Sequence, residues 1–346
     1  MDTKCNQLRV GVIGIGIRGQ HSYEQILKLD KRVKIVACSH YPNASNVLEE
    51  GADENIRKNY AVQLGAEYYE NYHELLARDD IELISLMCEP SRALELGCEC
   101  FDAGKHVLRD KPMTKTADEA RRLSEYAEMK KKFLFVALPL RFHSVLDEVK
   151  QQIASNKAGK VLSATMGYIW TNGPLAGFKA STDYVNAYGG GDVTNAGFHA
   201  IDYLNWIIES EPVSVYCQQG SFFYDDYQKN DMEDLGKITI TYENGAVANL
   251  ITGRIPAKRN MLSWIDISME RGTIDVRNIR AQFAINDKSE PCDNVPLNMI
   301  GQAVVDALLE KKIVNLARGA DAVRVSLVLE AARDSAKSGC EVKIHK

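Results

Sequence analysis

The sequence predicts an α/β protein in which an N-terminal Rossmann domain with a doubly wound parallel sheet precedes an α+β domain with an open-faced, mostly antiparallel sheet. Apolar runs alternate with helical patterns over the first part of the chain, and a glycine-rich turn directly follows the first run. Alternating strand patterns dominate the later part. The chain has 346 residues, more than the roughly 250–300 that one core serves. We therefore expect two domains, residues 1–138 and residues 139–346.

The predicted first domain is a series of short apolar runs, each followed by a segment of helical periodicity. Strands that are apolar on both faces are typical of a parallel sheet covered by helices on both sides. The predicted strands are Arg9–Ile13, Val33–Cys38, Ile81–Met87, His106–Leu108 and Phe133–Val136. The predicted helices are Ser22–Leu29, Asn43–Leu64, Tyr72–Ala77, Ala93–Ala103 and Thr116–Lys130.

The pattern changes after Pro139, where period-two alternation becomes frequent. Glu243-Asn244-Gly245 lies between two such runs and supplies an Asn-Gly hairpin turn. The predicted strands here are Lys160–Trp170, Val213–Tyr216, Lys237–Tyr242, Ala246–Thr252, Ser263–Met269, Gly272–Val276 and Glu341–Ile344. The predicted helices are Val145–Ala154, Val193–Ile208 and Ala320–Ser338.

Composition excludes several classes of partner. Lys+Arg 42 against Asp+Glu 47 leaves a net charge of -5, so we expect neither nucleic acid nor an anionic membrane surface as a partner. The apolar runs are too short to span a bilayer, and no secretory signal pattern precedes the first strand. We expect a cytoplasmic protein. The eight cysteines are scattered without zinc-ligand spacing, so we interpret them as reduced and expect no metal.

The glycine-rich turn reads Gly14-Ile15-Gly16-Ile17-Arg18-Gly19, a G-x-G-x-x-G between a predicted strand and a predicted helix. Glycines permit the tight turn and let the backbone approach a pyrophosphate, while the helix N-terminus offers amide donors. The turn predicts a dinucleotide site that includes Gly14, Gly16, Ile17, Arg18 and Gly19.

A carboxylate at the end of the second strand normally binds the adenosine ribose, and this chain lacks one. The corresponding stretch is Cys38-Ser39-His40-Tyr41. Ser39 and His40 could bond either a ribose hydroxyl or a 2′-phosphate, and Arg18 could reach a phosphate; each could equally be an ordinary loop residue. The choice between NAD and NADP therefore stays open.

A lysine is expected at the carboxyl end of a short parallel strand, where doubly wound sheets bind their ligands. The segment is Gly104-Lys105-His106-Val107-Leu108-Arg109-Asp110-Lys111-Pro112. It resembles the G-K-H-V-x-x-E-K-P signature of the glucose-fructose oxidoreductase, inositol dehydrogenase and MocA family, with Asp110 in place of Glu. Further similar stretches follow in order: Leu140-Arg141-Phe142-His143, the glycine-led Gly189 to Asp202, and Ala331 to Ala336.

The resemblance implies a Rossmann domain, then an open-faced sheet that commonly forms dimers or tetramers. It implies that Lys111 and His199 carry catalysis and that Arg141 lies at the substrate. Glu89 and Pro90 stand where the family often has T-P-N-x-x-H, and they should lie near the cofactor ribose. We expect a homodimer or homotetramer assembled through the C-terminal sheet.

The helix after the three glycines carries one polar stripe. Asp192, Asn195, His199 and Asp202 are spaced three, four and three apart and share a face. Asp192 could simply be an N-cap, and Asp202 could bond neighbouring backbone or support the histidine. Asn195 stands where the family's dehydrogenases often have Asp, so it can orient the imidazole but cannot raise its basicity.

These residues predict hydride transfer between nicotinamide and a hydroxyl or carbonyl carbon of a small sugar-like substrate. His199 would act as base, Lys111 would stabilise the oxyanion, and Asn195 would hold an adjacent hydroxyl, with Lys111 and His199 converging before the nicotinamide. Asp183 and Tyr184 would contribute from an overhanging insert. Two alternatives remain: redox-neutral epimerisation or elimination assisted by NAD, and a non-catalytic sugar- or nucleotide-binding regulator.

Overall fold

The computed structural model describes residues 7–15, 27–28, 30–42, 54–171, 181–257, 261–277, 279, 282–285, 288–291 and 297–345. The chain divides into two compact units. The first contains Met1–Leu138 and Leu297–Ala320, and the second contains Pro139–Pro296 and Asp321–Lys346. The expected second domain of 139–346 differs from this division in one segment, because residues 297–320 return to the first unit.

The first unit is built on a seven-stranded sheet in the order β15-β6-β5-β4-β1-β2-β3. All neighbouring strands are parallel except β15, which pairs antiparallel with β6 at one edge. The strands are β1 (Leu8–Ile13), β2 (Val33–Ser39), β3 (Glu67–Tyr69), β4 (Leu83–Leu86), β5 (His106–Arg109), β6 (Leu134–Val136) and β15 (Ala317–Arg318). The central strands are buried along almost their whole length, as a sheet covered on both faces requires.

Helices separate these strands along the chain and give the expected alternation. Thr116 and Glu119 form a reciprocal capping box that starts one of them, which explains its sharp beginning. The helical segments of this unit are Glu54–Leu64, Tyr72–Leu76, Pro90–Arg92, Ala93–Asp102, Ala117–Met129, Leu297–Val305 and Asp306–Glu310. The doubly wound parallel sheet predicted from the sequence is thereby confirmed.

The second unit contains a mostly antiparallel sheet in the order β12-β11-β7-β10-β9-β8-β16. Only the β7–β10 pair is parallel. Gly245, in the left-handed region with φ 85°, makes the predicted hairpin turn between β9 and β10. The strands are β7 (Val161–Trp170), β8 (Pro212–Gly220), β9 (Leu235–Tyr242), β10 (Val247–Arg254), β11 (Leu262–Met269), β12 (Gly272–Arg277) and β16 (Val342–Lys343), with a separate hairpin of β13 (Gln282–Ile285) and β14 (Lys288–Pro291).

One face of this sheet packs against the helix Asp192–Ile208, which we call the glycine-led helix. Ala248, Leu250 and Thr252 of β10 are buried, and they alternate with more exposed residues on the opposite face. The other helical segments of the unit are Pro139–Phe142, Ser144–Ala154, Thr182–Tyr188, Asp225–Lys229 and Gly319–Ser338, which begins in the first unit. In the part of the chain that the structure describes, no helix is both long and apolar enough to cross a bilayer.

The differences from the predicted elements have simple causes. β3, β15 and the helices Thr182–Tyr188 and Asp225–Lys229 were not predicted, because elements this short show little periodicity. The predicted helix Asn43–Leu64 is observed from Glu54 onward, and its first part lies outside the described residues, as does most of Ser22–Leu29.

Candidate functional site

The turn after β1 has a geometry that only glycine permits. Gly14 has φ 99°, and a Cβ there would lie 1.9 Å from the carbonyl oxygen of Met87. Its N–H donates to the Ser39 carbonyl at 3.0 Å, so the ends of β1, β2 and β4 meet at this residue. The close backbone approach is what a dinucleotide-binding turn needs. Gly16, Ile17, Arg18 and Gly19 lie outside the described residues.

Ser39 and His40 occupy the position at which a ribose-binding carboxylate is usual. Ser39 has no exposed surface, and its hydroxyl donates to the Tyr69 carbonyl of β3 at 2.8 Å. The hydroxyl therefore holds β2 to β3, and the expected role of Ser39 at a ribose or phosphate stays a prediction. His40 is half-buried and stacks on Tyr41. Burial and the nearby positive charge of Arg57 lower the pKa of His40 to about 4, so its ring is neutral at neutral pH.

Glu89 and Pro90 lie at the end of β4, beside the end of β2. Glu89 is 4 % exposed, and its N–H donates to the Tyr41 hydroxyl at 3.3 Å. Arg92, in the same short turn, donates to the Pro42 carbonyl at 3.1 Å. These contacts fix the two loops next to the glycine turn, where the sequence places the cofactor ribose.

Lys111 lies two residues after the end of β5 and is half-buried. Its backbone N–H donates to the Asp110 carboxylate at 2.7 Å, and the Lys111-Pro112 peptide is cis. Asp110 therefore holds the backbone of the loop at Lys111. This loop has no regular secondary structure.

Arg109 is a buried cation beneath this loop that the sequence analysis did not single out. It is 2 % exposed and donates to the carbonyls of Leu86, Pro112 and Met113 at 3.3–3.4 Å. In the described parts of the chain no carboxylate forms an ion pair with it. An arginine inside an otherwise apolar strand was the available signal. The guanidinium ties the end of β4 to the Lys111 loop.

The glycine-led helix is entered through a buried carboxylate. Glu233 accepts the N–H of Gly191 at 2.8 Å, the N–H of Thr194 at 3.2 Å and the Thr194 hydroxyl at 3.1 Å. Burial raises the pKa of Glu233, and these donors oppose the shift. A carboxylate at this end also complements the helix dipole. No local sequence pattern predicts this contact, because Glu233 lies 42 residues after Gly191 along the chain.

Asp192 is the first residue of the helix, and Gly191 is its N-cap. The alternative in which Asp192 caps the helix is therefore wrong. Its fully buried carboxylate accepts from the Arg254 side chain at 2.7 and 3.2 Å and from the Tyr227 hydroxyl at 2.7 Å. The guanidinium of Arg254 also lies over the Trp170 ring, 4.9 Å from its centroid. This network joins the helix to β7 and β10.

Asn195 and His199 lie one turn apart on the same face of the helix, 5 % and 7 % exposed. The imidazole is flanked by the rings of Tyr168 and Trp170, with centroids 6.0 and 6.5 Å away. The second unit thus brings an amide, an imidazole and two aromatic rings together. The polar stripe predicted the shared face of the amide and the imidazole. Lys111 belongs to the first unit and His199 to the second.

Arg141 is engaged by a buried ion pair. It is 4 % exposed, and its guanidinium donates to both oxygens of Asp202, at 2.9 and 2.6 Å. Asp321 lies 3.4 Å from the same group. The expected role of Arg141 at the substrate stays a prediction. Asp202 accordingly anchors the segment Pro139–Phe142 to the helix.

The predicted insert contributions also change. Tyr184 is 1 % exposed and stacks on Tyr188, with ring centroids 4.6 Å apart, inside the helix Thr182–Tyr188. Tyr184 is therefore buried within the second unit, and its expected place at the substrate stays a prediction. Asp183 lies on the exposed side of that helix. Residues 172–180 lie outside the described part of the chain.

Two family models match the chain. Residues 8–138 match an oxidoreductase family with an NAD-binding Rossmann fold, and residues 146–275 match the GFO/IDH/MocA C-terminal domain. The inositol 2-dehydrogenase of Rubrobacter xylanophilus is 27% identical over 290 residues, which cover 82% of this chain and 77% of that protein. A Shewanella baltica glycosyl hydrolase family 109 protein is 26% identical over 170 residues, 48% of this chain but 36% of its own length.

The fold is shared with solved structures. The scyllo-inositol dehydrogenase of Lactobacillus casei, crystallised with NAD(H) and scyllo-inositol, superimposes with a TM-score of 0.79 at 17% identity. The alignment covers 98% of this chain and 99% of that chain. This likeness confirms the predicted order of a Rossmann domain and an α+β domain.

We expect Arg141→Met to lower the free energy of unfolding by about 3–5 kcal/mol, because Asp202 would be left buried without its cation. The double variant Arg141→Met/Asp202→Leu should recover most of this loss. Urea denaturation of both proteins measures the effect. If the single variant is as stable as the unmodified chain but has a raised KM, the result would instead support substrate binding by Arg141.

Proposed function

The chain belongs to the GFO/IDH/MocA family of oxidoreductases, and we propose that it transfers a hydride between NAD or NADP and a hydroxyl or carbonyl carbon of a sugar, polyol or glycoside. One observation carries the proposal. This member of the family has both Lys111, just after β5, and His199, one turn after Asn195 in the glycine-led helix. The surrounding residues hold the lysine loop and the histidine helix in place.

The Rossmann unit is of the NAD-binding type, and the residues at the turn fit a dinucleotide. When bound, the nicotinamide supplies the hydride donor or acceptor. We assign its binding to Gly14, Glu89, Pro90 and His40, together with the turn Gly16–Gly19. The inward-turned hydroxyl of Ser39 and the missing carboxylate leave both NAD and NADP as candidates.

We assign proton removal to His199, because a neutral imidazole nitrogen is the side-chain group best suited to accept a proton near neutral pH. The Lys111 ammonium would stabilise the developing alkoxide and lower the cost of charge formation. Asn195 would donate to, or accept from, a neighbouring substrate hydroxyl. In the reducing direction the imidazolium returns the proton.

A cyclic polyol or sugar fits the groups around His199. The half-buried ring of Trp170 offers a flat apolar face for the C–H side of a sugar ring, and the amide and imidazole suit its hydroxyls. Relatives named inositol 2-dehydrogenase, and a fold neighbour crystallised with scyllo-inositol, act on or bind molecules of this class. Exposed Asp183 stays a candidate for substrate binding.

The relative named glycosyl hydrolase family 109 protein favours a second candidate, redox-neutral chemistry on a glycoside. Here a hydroxyl would be oxidised and reduced again within one cycle, so no NADH would accumulate. Release of a glycoside's leaving group without a net change in reduced-nicotinamide absorbance would indicate redox-neutral chemistry. A net change in that absorbance would indicate a dehydrogenase.

We further propose that the chain forms a homodimer or homotetramer through its C-terminal sheet. The face of that sheet opposite the glycine-led helix carries half-buried Leu235, Ile251, Leu262 and Trp264. The Trp264 ring lies flat over Gly167, since a Cβ on Gly167 would lie 2.1 Å from it. An apolar strip of this kind, which Lys237 flanks beside Ile251, is typical of a subunit interface.

The activity is tested with purified protein, NAD or NADP, and a panel of polyols and glycosides, by following the reduced-nicotinamide absorbance. We expect Lys111→Ala to lower kcat by at least about 100-fold and to leave dinucleotide affinity nearly unchanged, because the charge acts in the transition state. Lys115→Ala, in the same loop, is the matched control. Equal turnover in both variants would remove Lys111 from the mechanism.

We expect Asn195→Asp to move the acidic limb of the pH–kcat profile upward by about one unit or more. A carboxylate one turn from His199 favours the imidazolium and raises its pKa, so the neutral base forms only at higher pH. Asn195→Ser, which adds no charge, should leave the limb in place. Identical profiles for both variants would separate His199 from proton transfer.

We expect light scattering of the purified chain to give two or four times the 38.6 kDa subunit mass. Ile251→Arg should shift the distribution toward monomer, because a charge on the apolar strip opposes association. Val62→Arg, on a side chain that is 75% exposed in the first unit, should not. A monomeric unmodified chain at micromolar concentration contradicts the proposal.

A further inference from the structure

A cavity lies in the first unit, at the opposite end of the sheet from the glycine turn. It measures about 330 Å³ and is lined in part by Phe133 and Leu134, where β6 begins. The glycine turn and Lys111 instead follow the carboxyl ends of β1 and β5. Because these strands are parallel, the cavity is distinct from the proposed catalytic residues of this unit.

Positive charge dominates the lining. Lys131, Lys132 and Arg318 contribute cations, against the single carboxylate of Glu128. Over the residues that the structure describes, neither lysine forms an ion pair, whereas the preceding Lys130 pairs with Asp102 at 2.6 Å.

A hydroxyl also lines the cavity. Ser124, on the helix Ala117–Met129, is 7 % exposed, and its Oγ lies beside the start of the helix Gly319–Ser338. A hydroxyl can donate a hydrogen bond to a ligand oxygen. Gly319 keeps the group accessible, because a Cβ at that position would lie 2.7 Å from Ser124 Oγ.

Backbone donors complete the set. Gly319 and Ala320 line the cavity and begin the helix Gly319–Ser338. The first N–H groups of a helix have no acceptor within it and carry partial positive charge, which favours an anion. The 20-residue helix, the two lysines and the hydroxyl therefore present donors from three chain segments.

We propose that this cavity binds the phosphate group of a small phosphorylated metabolite. Phosphate oxygens accept from ammonium, hydroxyl and amide donors together, which no neutral ligand does equally well. The volume lies at the lower end of the roughly 300–1,000 Å³ typical of small-molecule sites, so it holds more than a bare ion. Phe133 and Leu134 supply an apolar wall for a carbon skeleton. The proposal does not depend on the oxidoreductase activity.

The test is calorimetric titration of the full chain with glucose 6-phosphate, glucose and inorganic phosphate at constant ionic strength. We expect glucose 6-phosphate to bind at least about tenfold more tightly than either of the other two. Lys131→Gln/Lys132→Gln should weaken it at least about tenfold, since hydrogen bonds to charged groups are lost. Ser124→Ala should weaken it about fivefold, as one hydrogen bond predicts.

Arg121→Gln/Lys130→Gln is the matched control, because it removes two cations, one within the helix Ala117–Met129 and one directly after it, that are paired with acids outside the cavity. It should bind as the unmodified chain does. All variants keep the glycine turn, so phosphate held there contributes equally to each. Equal affinity of the unmodified chain and the lysine double variant overturns the proposal, as does equal binding of glucose and glucose 6-phosphate. Circular dichroism and the Tm of each variant separate loss of binding from loss of folding, and tight binding of inorganic phosphate alone would overturn the metabolite assignment.

Discussion

The buried polar stripe of the glycine-led helix is the constraint around which the second unit is organised. Every residue of this helix except Trp206 is buried, including two aspartates. A buried carboxylate is tolerated only when cations and hydrogen-bond donors replace the water it loses. Arg254 of β10 therefore pairs with Asp192 at one end of the stripe. Arg141 of the segment Pro139–Phe142 pairs with Asp202 at the other end. Asn195 and His199 lie between these two ion pairs, so their positions along the helix are fixed from both sides.

The first unit solves a similar problem with a cation. Arg109 is buried at the end of β5 and is held by three backbone carbonyls, one at the end of β4 and two in the loop directly after Lys111. Because carbonyl groups hold position through the backbone itself, this arrangement couples the loop that carries Lys111 to the end of β4. The contact between Glu89 and Tyr41 does the same for the adjoining loop. Rigid support for loops at the carboxyl edge of a sheet is what a site assembled from loop residues requires.

Sequence alone predicted the features that depend on local periodicity or on a single backbone conformation. The need for glycine at position 14, the run of parallel strands and the shared face of Asn195 and His199 are of this kind, and the family resemblance is confirmed by both family models. The pairings of Arg141 and Ser39 could not be predicted in the same way, because their partners lie 61 and 30 residues along the chain. The burial of Tyr184 could not be predicted either, because a seven-residue helix has too few turns to show which side is buried.

The return of residues 297–320 to the first unit bears on how the chain is made. β15 covers the edge of β6, yet it emerges from the ribosome only after almost the entire second unit has been synthesised. Until then β6 presents an uncovered edge, a surface on which other strands can pair and nascent chains can aggregate. A fragment ending at Leu138 keeps that liability permanently. An isolated nucleotide-binding unit would therefore need the later segment grafted on, by a linker or by circular permutation, to be well behaved.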